Sequence, residues 1–531
     1  MKMKNTIKSI FIALTVLSVY GYFIMLPSCK NPTDGIIVKI NSSIADNTIS
    51  VQVVDANILS SNIPDPLTFS VTGPDASLVL SSDGTTNFKA VKGVIALVLK
   101  PGTQPTKIKP IQFNLVAEAS GYLKAISPVR INKIGNNNIK FSMVNISNPP
   151  QGVSIKQVSL NVPQGGITSP ITIDLPPQTG KIETAVVTIP TGTIFKAENG
   201  DELYGSLNAT FVHFDNRSSA SIKSFPGGLT ATKVVDINGN AMNPVSFRPL
   251  GFTSLEITSG INKVKTFSNP INIAFEINPT TKNPKTNSVY AIGDSIPTSS
   301  YNIENGQWNI ESTASVSKNT VSNKLEAVVK VPHLSYWNLA TYFTGCTSNI
   351  SALISSSYTF DAIRYMEVLA SDNTVLISGY ESVLNGINIL EQFPSLNDNV
   401  TINIYSRGSN EQNKGTIIGS AFFNPCTDAI PTINITEVPV QAVEIQITGL
   451  CPSAREIKPD LEVLYKLSSD KNYNYLGHMV NGFIKTDLLL QNNQYDYKAI
   501  YGGTEYSYTR LINQYYYNES MKLTAQDSPC K

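Results

Sequence analysis

The sequence is poor in charged residues, histidine and tryptophan, and each shortage argues against a class of function. Of its 531 residues only 15% are charged, three are His and two are Trp. Lys and Arg number 40 against 39 Asp and Glu, which gives a formal net charge of +1. A chain this close to neutral lacks the electrostatic footprint of a nucleic-acid-binding protein, so we expect no nucleic-acid partner. With so few His, we also expect no metal site and no other cofactor.

Long apolar runs at helical spacing are almost absent after residue 30, which argues against a helical fold. Short β-branched stretches bounded by Gly, Pro, Asn or Asp take their place, for example at residues 36–40, 69–72 and 113–116. An apolar–polar period of two with turn residues between strands is typical of β-sandwiches. Residues 361–370 fit either a helix or a strand, and we predict a strand. The predicted fold class is all-β, with tandem immunoglobulin-like β-sandwich domains.

The first 29 residues have the pattern of an export signal. Lys2, Lys4 and Lys8 precede an uncharged apolar run at residues 10–26, and the run ends in Leu-Pro-Ser-Cys at residues 26–29. A basic start, a short apolar core and small residues at its end indicate a secretory signal peptide. The alternative is an uncleaved signal anchor, because the run is nearly long enough to span a bilayer.

The Leu-x-Ser-Cys ending resembles a bacterial lipobox, and the whole start is similar to that of Bacteroidota-type lipoproteins. The resemblance implies cleavage before Cys29 and lipid attachment to that residue. Two or three acyl chains anchor a protein stably where one does not. We therefore expect the membrane as a partner and the outer membrane of the cell envelope as the location, with surface and periplasmic faces both open.

Pro-rich seams and the cysteines suggest how the chain is divided. We expect a lipoprotein signal peptide at 1–28 and β-sandwich regions at 29–149, 150–345, 346–430 and 431–531. At the first seam, residues 148–152 contain two Pro and one Gly, which suits an extended linker better than a packed element.

Four cysteines follow Cys29 at regular spacing. Cys346 and Cys426 are 80 residues apart, and Cys451 and Cys530 are 79 apart. Four cysteines allow three pairings, and the equal spacing favours one disulfide in each of the last two sandwiches. Such bonds persist in exported proteins, although four buried free thiols are the alternative. Beyond this spacing we identify no internal repeat.

Several motifs in the middle of the chain resemble a known domain family. They are Val-Val-Thr-Ile-Pro-Thr-Gly-Thr at 186–193, Pro-Ile-Asn-Ile at 270–273, Gly-Gln-Trp at 306–308 and His-Leu-Ser-Tyr-Trp-Asn at 333–338. Together they are similar to the β-sandwich domain shared by ankyrins and netrin receptors, across roughly residues 150–345. Residues 35–147 resemble a carboxypeptidase-regulatory-type sandwich. Both resemblances imply scaffolds for protein interaction and bring no catalytic residue.

The two tryptophans lie within thirty residues of each other. Asn305-Gly306 predicts a hairpin turn, after which Trp308 opens a strand. We expect both Trp308 and Trp337 to fill a sandwich core, with His333 at an edge or loop. The alternative is a pair of rings that stack on carbohydrate.

Enzyme motifs give little support to catalysis. Asp294 and Ser295 stand in a Gly-Asp-Ser motif, but no His is preceded by an Asp at the spacing that such esterases use. We find no nucleophile elbow, no metal-binding helix motif and no phosphate-binding loop. Residues 236–240 alternate oxygen ligands as a calcium loop does, yet they also read as a hairpin tip.

Tyrosine is concentrated near the end of the chain, where eleven of the 23 lie between Tyr465 and Tyr517. Residues two apart share a strand face, which pairs Tyr495 with Tyr497 and Tyr506 with Tyr508. Cross-strand packing explains such pairs, but an exposed face for a glycan or a protein ligand is the functional alternative. These four residues are therefore our candidate binding surface.

The sequence favours a non-enzymatic, lipid-anchored cell-envelope protein that acts as a binding, adhesion or scaffold module. Two alternatives stay open. One is an envelope hydrolase acting on polysaccharide or peptide, and the other is a fibre subunit assembled by strand donation.

Overall fold

The computed structural model describes residues 47–523, apart from 58–59, 61, 63, 83, 91–92, 107–108, 133, 179–182, 345–349, 391–396, 412, 460, 471–472 and 502–503. Regular structure in this part of the chain is almost entirely β-strand, interrupted by one short helix, α1 (Ser219–Lys223), and a 3₁₀ turn, Ala76–Leu78. The all-β, tandem-sandwich fold class is confirmed. Among the same residues, no helix has the length and apolar character needed to cross a membrane.

The first sandwich is built from seven strands in two sheets. The strands are β1 (Asn47–Asp55), β2 (Leu67–Thr72), β3 (Val79–Ser81), β4 (Val94–Leu99), β5 (Ile111–Ala119), β6 (Ala125–Ile131) and β7 (Gly135–Met143). One sheet has the order β3-β4-β1-β7 and the other the order β2-β5-β6. Buried and less buried residues alternate along β1 as the period-two pattern requires.

The second sandwich is larger: fifteen of its strands form one continuous sheet that closes over a core, and two short strands form a separate hairpin. The strands are β8 (Val153–Val162), β9 (Ile171–Leu175), β10 (Ala185–Ile189), β11 (Phe195–Lys196), β12 (Glu202–Leu203), β13 (Gly205–Phe214), β14 (Thr230–Ala231), β15 (Val234–Val235), β16 (Val245–Ser259), β17 (Asn262–Lys263), β18 (Thr266–Glu276), β19 (Lys282–Asn283), β20 (Ser288–Val289), β21 (Ser295–Asn302), β22 (Gln307–Lys318), β23 (Leu325–His333) and β24 (Tyr336–Thr344). The separate hairpin is formed by β19 and β20. Strand β22 joins the two halves of the large sheet, since residues 307–315 pair with β21 and residues 316–318 pair with β23.

The third and fourth sandwiches each combine two smaller sheets. The third contains β25 (Ile350–Ser355), β26 (Ile363–Ala370), β27 (Val375–Ser382), β28 (Gly386–Leu390), β29 (Val400–Tyr405), β30 (Ile417–Phe423) and β31 (Thr432–Asn434). The fourth contains β32 (Val443–Leu450), β33 (Glu456–Ile457), β34 (Leu461–Leu467), β35 (Asn474–Met479), β36 (Phe483–Thr486), β37 (Gln494–Tyr501), β38 (Thr504–Leu511) and β39 (Tyr516–Lys522). Strand β31 pairs with β25, so the third sandwich continues past residue 430. Strand β26 confirms that residues 361–370 favour a strand over a helix.

Three of the four sandwiches share one pairing scheme, a repeat that we did not identify in the sequence. In the first, third and fourth sandwiches, the first strand pairs in parallel with the last strand, as β1–β7, β25–β31 and β32–β39. In each, the first strand also pairs antiparallel with β4, β28 or β36. The scheme repeats although the side chains differ, because pairing depends on alternation and turn positions more than on residue identity.

The apolar cores show how the sandwiches contact each other. One cluster of buried side chains includes Val116 of the first sandwich, Phe247 and Trp308 of the second, and Val368 of the third. The fourth sandwich has its own separate core, built around residues such as Tyr465 and Tyr495. Its junction with the third sandwich therefore depends more on polar contacts.

Candidate functional site

A dense cluster of buried charged and polar side chains lies between the third and fourth sandwiches, around Arg364. This side chain is on β26 and is fully buried. Its two terminal nitrogens donate to the carboxylate of Asp487 at 2.6 and 3.1 Å, and Nε donates to Glu437 at 2.6 Å. Asp487 follows β36 in the fourth sandwich, whereas Glu437 lies in the linker after β31. One arginine thus connects two modules and the segment between them.

Two further side chains complete this cluster. Arg407 Nε donates to Asp487 at 3.0 Å, and the Arg407 backbone N–H donates to Glu437 at 2.9 Å. The Tyr358 hydroxyl accepts from Arg364 at 2.5 Å and donates to Glu437 at 2.9 Å. A buried ion cluster is favourable only when its geometry and hydrogen bonds are this complete. We call these five residues the arginine clamp.

The electrostatics of the arginine clamp keep its buried acid charged. Burial pushes the pKa of Asp487 upward, but hydrogen bonds and charge from Arg364 and Arg407 hold that pKa below its ordinary value. Burial raises the pKa of the Tyr358 hydroxyl to about 12, so it stays protonated and able to donate. The arginine clamp can therefore fix geometry, but its carboxylates are occupied and do not face a substrate.

A second polar cluster joins the second and third sandwiches. Arg248 of β16 forms ion pairs with Asp398 and, at 3.6 Å, with Asp372. Arg217 approaches Asp372 at 3.9 Å and donates through Nη2 to the Thr281 hydroxyl at 2.8 Å. Both acids belong to loops of the third sandwich, so this junction is also bridged by buried arginine.

A cavity of about 10 Å³ lies within this second junction, which is room for roughly one water molecule. Its lining includes Asn216, Arg248 and Asp372. Nearby, burial and the charge of Asp215 raise the pKa of Glu183 to about 7. A hydrogen bond from the Asn216 backbone N–H and the charge of Arg217 lower this pKa, but by less than the other two effects raise it. A space this small does not accept an organic substrate.

A serine, a glutamate and a histidine do come together on the second sandwich, but in an order that does not support nucleophilic catalysis. Ser300 Oγ donates to Glu311 at 2.6 Å, and His333 Nε2 lies 3.3 Å from the same Glu311 oxygen. A catalytic triad places the histidine between the serine and the acid, whereas here the acid lies between the other two. His333 also packs 5.1 Å from the ring of Trp337.

The other candidate motifs have structural roles in the described residues. His213 is buried, neither ring nitrogen has a hydrogen-bond partner, and burial lowers its pKa to about 4. The Asp236 carboxylate accepts backbone N–H groups of Asn238 and Asn240, so the loop itself uses the oxygens that a calcium ion would need. Asp294 caps a turn by accepting the Ala291 N–H at 3.0 Å. No group of three or more metal-binding side chains occurs in the part of the chain that the structure describes.

Both tryptophans lie in the core, as we expected. Trp308 and Trp337 are 1% and 0% exposed. Trp308 stacks on Phe225 with ring centroids 5.1 Å apart, and it stands one residue inside β22, after the turn at Asn305-Gly306. Gly306 has a φ of 68°, which explains glycine at that position. The carbohydrate-stacking alternative for this pair is therefore wrong.

The predicted lipid and disulfide residues are only partly within the described residues. Cys29, Cys346 and Cys530 lie outside them. Cys426 and Cys451 each take part in a disulfide bond. Their pairing with Cys346 and Cys530 stays a prediction.

The predicted tyrosine surface is divided between the core and the exterior. Tyr495 is 3% exposed and packs 5.9 Å from Tyr465, so it is not part of an outer surface. Tyr497 and Tyr506 are half-buried, whereas Tyr508 is 53% exposed. The four residues do share one sheet face, because Tyr497 pairs with Tyr508 and Ala499 with Tyr506. That face is the inner face of the sheet. Of the four side chains only Tyr508, on the edge strand β38, is mostly exposed.

Sequence reasoning missed two further exposed tyrosines at this end of the molecule and the arginines that hold the modules together. Tyr515 and Tyr516 are 40% and 55% exposed. A Tyr-Tyr-Tyr run was visible, but its outward members could not be told from Tyr517, which is 3% exposed. Arg364 gave one usable signal, since it is a charged residue within an apolar strand.

Comparisons with known proteins do not name a family. No family model matches the chain, and no curated protein matches it. Among solved structures, BcpA, the major pilin subunit of Bacillus cereus, aligns over 90% of this chain and 98% of its own at 10% identity, with a TM-score of 0.13. The RrgB pilus protein of Streptococcus pneumoniae aligns over 86% and 91% at 7% identity, with a TM-score of 0.12. Scores this low carry no argument about this chain.

Proposed function

We propose that the protein is a lipid-anchored, non-enzymatic cell-envelope protein that serves as a binding, adhesion or scaffold module. The arginine clamp is the observation that carries the scaffold role. The side chains of Arg364 and Asp487 are 0% exposed. Separating the third and fourth sandwiches would break this ion pair and leave each charge without its partner. Removing one partner of such a pair typically costs about 3–5 kcal/mol. A junction of this kind suits a module whose task is to hold a surface in a fixed position.

The pairing of the acids and of the serine in the described residues supports the non-enzymatic part of the proposal. In the described residues, the carboxylates of both junctions are paired with arginines. The serine near His333 bonds to Glu311 instead of to the histidine. An envelope hydrolase would need a cleft with two free carboxylates or a serine bonded to a histidine. These contacts give that alternative less support.

The anchoring part of the proposal depends on Cys29 and is tested in cells. Metabolic labelling with a palmitate analogue should label the wild-type protein and the K30A control, and the C29S variant should carry no label. Mass spectrometry should find a mature N-terminus at Cys29 with two or three acyl chains. An unacylated mature N-terminus in the wild type would refute lipid anchoring. Protease treatment of intact cells then decides between the surface and the periplasmic face.

A fibre subunit is the second candidate, and one feature of the topology favours it. In three sandwiches the last strand adds in parallel to the first strand, at the edge of the sheet, as β39 does with β32. A strand bound in this way is the kind of element that a neighbouring subunit replaces during strand donation. Polymers that resist SDS on electrophoresis of unheated envelopes would support this function, and monomers alone would exclude it.

A further inference from the structure

Two loops at one end of the fourth sandwich form an exposed apolar and aromatic surface. They comprise residues 490–493, before β37, and residues 511–516, from the last residue of β38 to the first residue of β39; we call them the amide–tyrosine patch. Leu490 and Leu511 are 47% and 50% exposed, and Tyr515 and Tyr516 are 40% and 55% exposed. Exposed apolar side chains on neighbouring loops make this end of the sandwich a candidate binding surface.

Hydrogen bonds hold the two loops of the patch together. The Asn492 N–H donates to the Ile512 carbonyl at 2.7 Å, and the Ile512 N–H donates to Asn493 at 2.9 Å. The Gln491 side chain donates to the Gln514 carbonyl at 3.1 Å. A surface fixed in this way loses little conformational entropy when a ligand binds.

Buried tyrosines act as internal supports for the same loops. The Tyr495 hydroxyl accepts the Leu490 N–H at 3.0 Å. The Tyr517 hydroxyl accepts the N–H groups of Asn513 and Gln514 at 2.9 and 3.2 Å. The tyrosines of this region therefore have two roles. Tyr495 and Tyr517 position the loops, whereas Tyr515 and Tyr516 face solvent.

The patch contains no charged residue. Residues 488–494 read Leu-Leu-Leu-Gln-Asn-Asn-Gln, and residues 511–517 read Leu-Ile-Asn-Gln-Tyr-Tyr-Tyr. Neighbouring charges are paired: Arg510 bonds to Glu519 at 2.5 Å, and Glu444 bonds to Lys485 at 2.8 Å. The surface therefore offers aromatic faces and carboxamide groups without an electrostatic field.

We propose that the amide–tyrosine patch binds a neutral polysaccharide, which names the ligand class of the binding function proposed above and rests on that function. Tyrosine rings provide flat apolar area with a polar edge, which suits the C–H faces of sugar rings. Asn and Gln side chains each donate and accept hydrogen bonds, which matches sugar hydroxyls. An acidic glycan or a nucleic acid would require unpaired Lys or Arg, and the patch has none.

Affinity electrophoresis of the full chain tests this proposal. Native gels would contain a neutral glucan, mannan or xyloglucan, with polygalacturonate and heparin as acidic comparisons. The wild type should be retarded by at least one neutral polysaccharide. The Y515A/Y516A variant should lose that retardation, with an apparent affinity at least tenfold weaker. Because both tyrosines are exposed, the variant should fold with an unchanged melting temperature.

The matched control is Y204A, because Tyr204 lies on the second sandwich and is 53% exposed, as much as the patch tyrosines. It should bind as the wild type does. The proposal is wrong if no neutral polysaccharide retards the wild type, if only the acidic polymers do, or if Y515A/Y516A binds like Y204A. Any of these results leaves acylation of Cys29 unaffected, so the two proposals fail separately.

Discussion

Replacing Arg364 with alanine tests the arginine clamp most simply. The change removes five hydrogen bonds, to Asp487 twice, Glu437, Tyr358 and the Ile363 carbonyl. It leaves Asp487 buried, with Arg407 as its remaining cationic partner. Removing one partner of a buried ion pair costs about 3–5 kcal/mol. We expect R364A to lower the free energy of unfolding of the fourth sandwich by this amount at pH 7.

The pH dependence of this loss has a definite sign. In the wild type the pKa of Asp487 lies below its ordinary value, so the stabilisation from its charge is present above about pH 4 and fades as the pH falls through the folded pKa. In R364A, Asp487 lacks the hydrogen bonds and charge of Arg364, so burial raises its pKa. Protonation of the buried carboxylate at lower pH then removes the destabilising unpaired charge. The difference between the two proteins should therefore shrink from pH 7 to pH 4.

Urea unfolding followed by hydrogen exchange in β34 and β37 measures this difference for the fourth sandwich. The control is K263A, which removes an ion pair whose side chains are 60% and 54% exposed. Exposed ion pairs contribute about 0–1 kcal/mol, so K263A should leave the free energy of unfolding almost unchanged. If R364A costs no more than K263A, or if its cost grows on acidification, the reasoning about the arginine clamp is wrong.

Three further predictions concern the core, the second junction and the cysteines. Because the pKa of Glu183 is raised to about 7, wild-type stability should fall as the pH rises from about 4.5 to 7; E183Q should abolish that fall and add up to roughly 3 kcal/mol at pH 8, measured by urea titration. Trp308→Ala should cost about 3–5 kcal/mol in calorimetry through the cavity it leaves, and a cost below about 1 kcal/mol would contradict its place in the core. Peptide mapping without reduction should recover Cys451 linked to Cys530, and C451S should lower stability by about 4 kcal/mol; a different partner for Cys451 would refute the pairing.

Much of the fold could be predicted because strands leave a local signal. Period-two alternation and turn residues identified the strands, and they identified Ile363–Ala370 as a strand where a helix was the alternative. The same local reasoning placed Trp308 in the core and after a hairpin turn. These features depend on residues close together in sequence, which is why one sequence was sufficient for them.

Features that join distant segments could not be predicted in this way. Arg364 and Asp487 are 123 residues apart, and nothing local indicates that one sandwich covers the other. Alternation placed Tyr495 and Tyr497 on one face, correctly, but it does not say whether that face points inward. The inner position of Tyr495 depends on the sheet that covers it, including Tyr517 of β39. For the candidate binding surface, the sequence therefore predicted the shared sheet face but not that Tyr495 is buried while Tyr508 is exposed.

The distance between the second and fourth sandwiches in solution tests the central claim, that buried arginines join these modules into one body. Spin labels at Ile261→Cys and Ser520→Cys would report it by pulsed electron paramagnetic resonance, since Ile261 is 98% exposed and Ser520 is exposed. The account predicts a single narrow distance distribution, which broadens in the R364A/R407A variant. A broad distribution in the wild type, or the same narrow one in the variant, would contradict it.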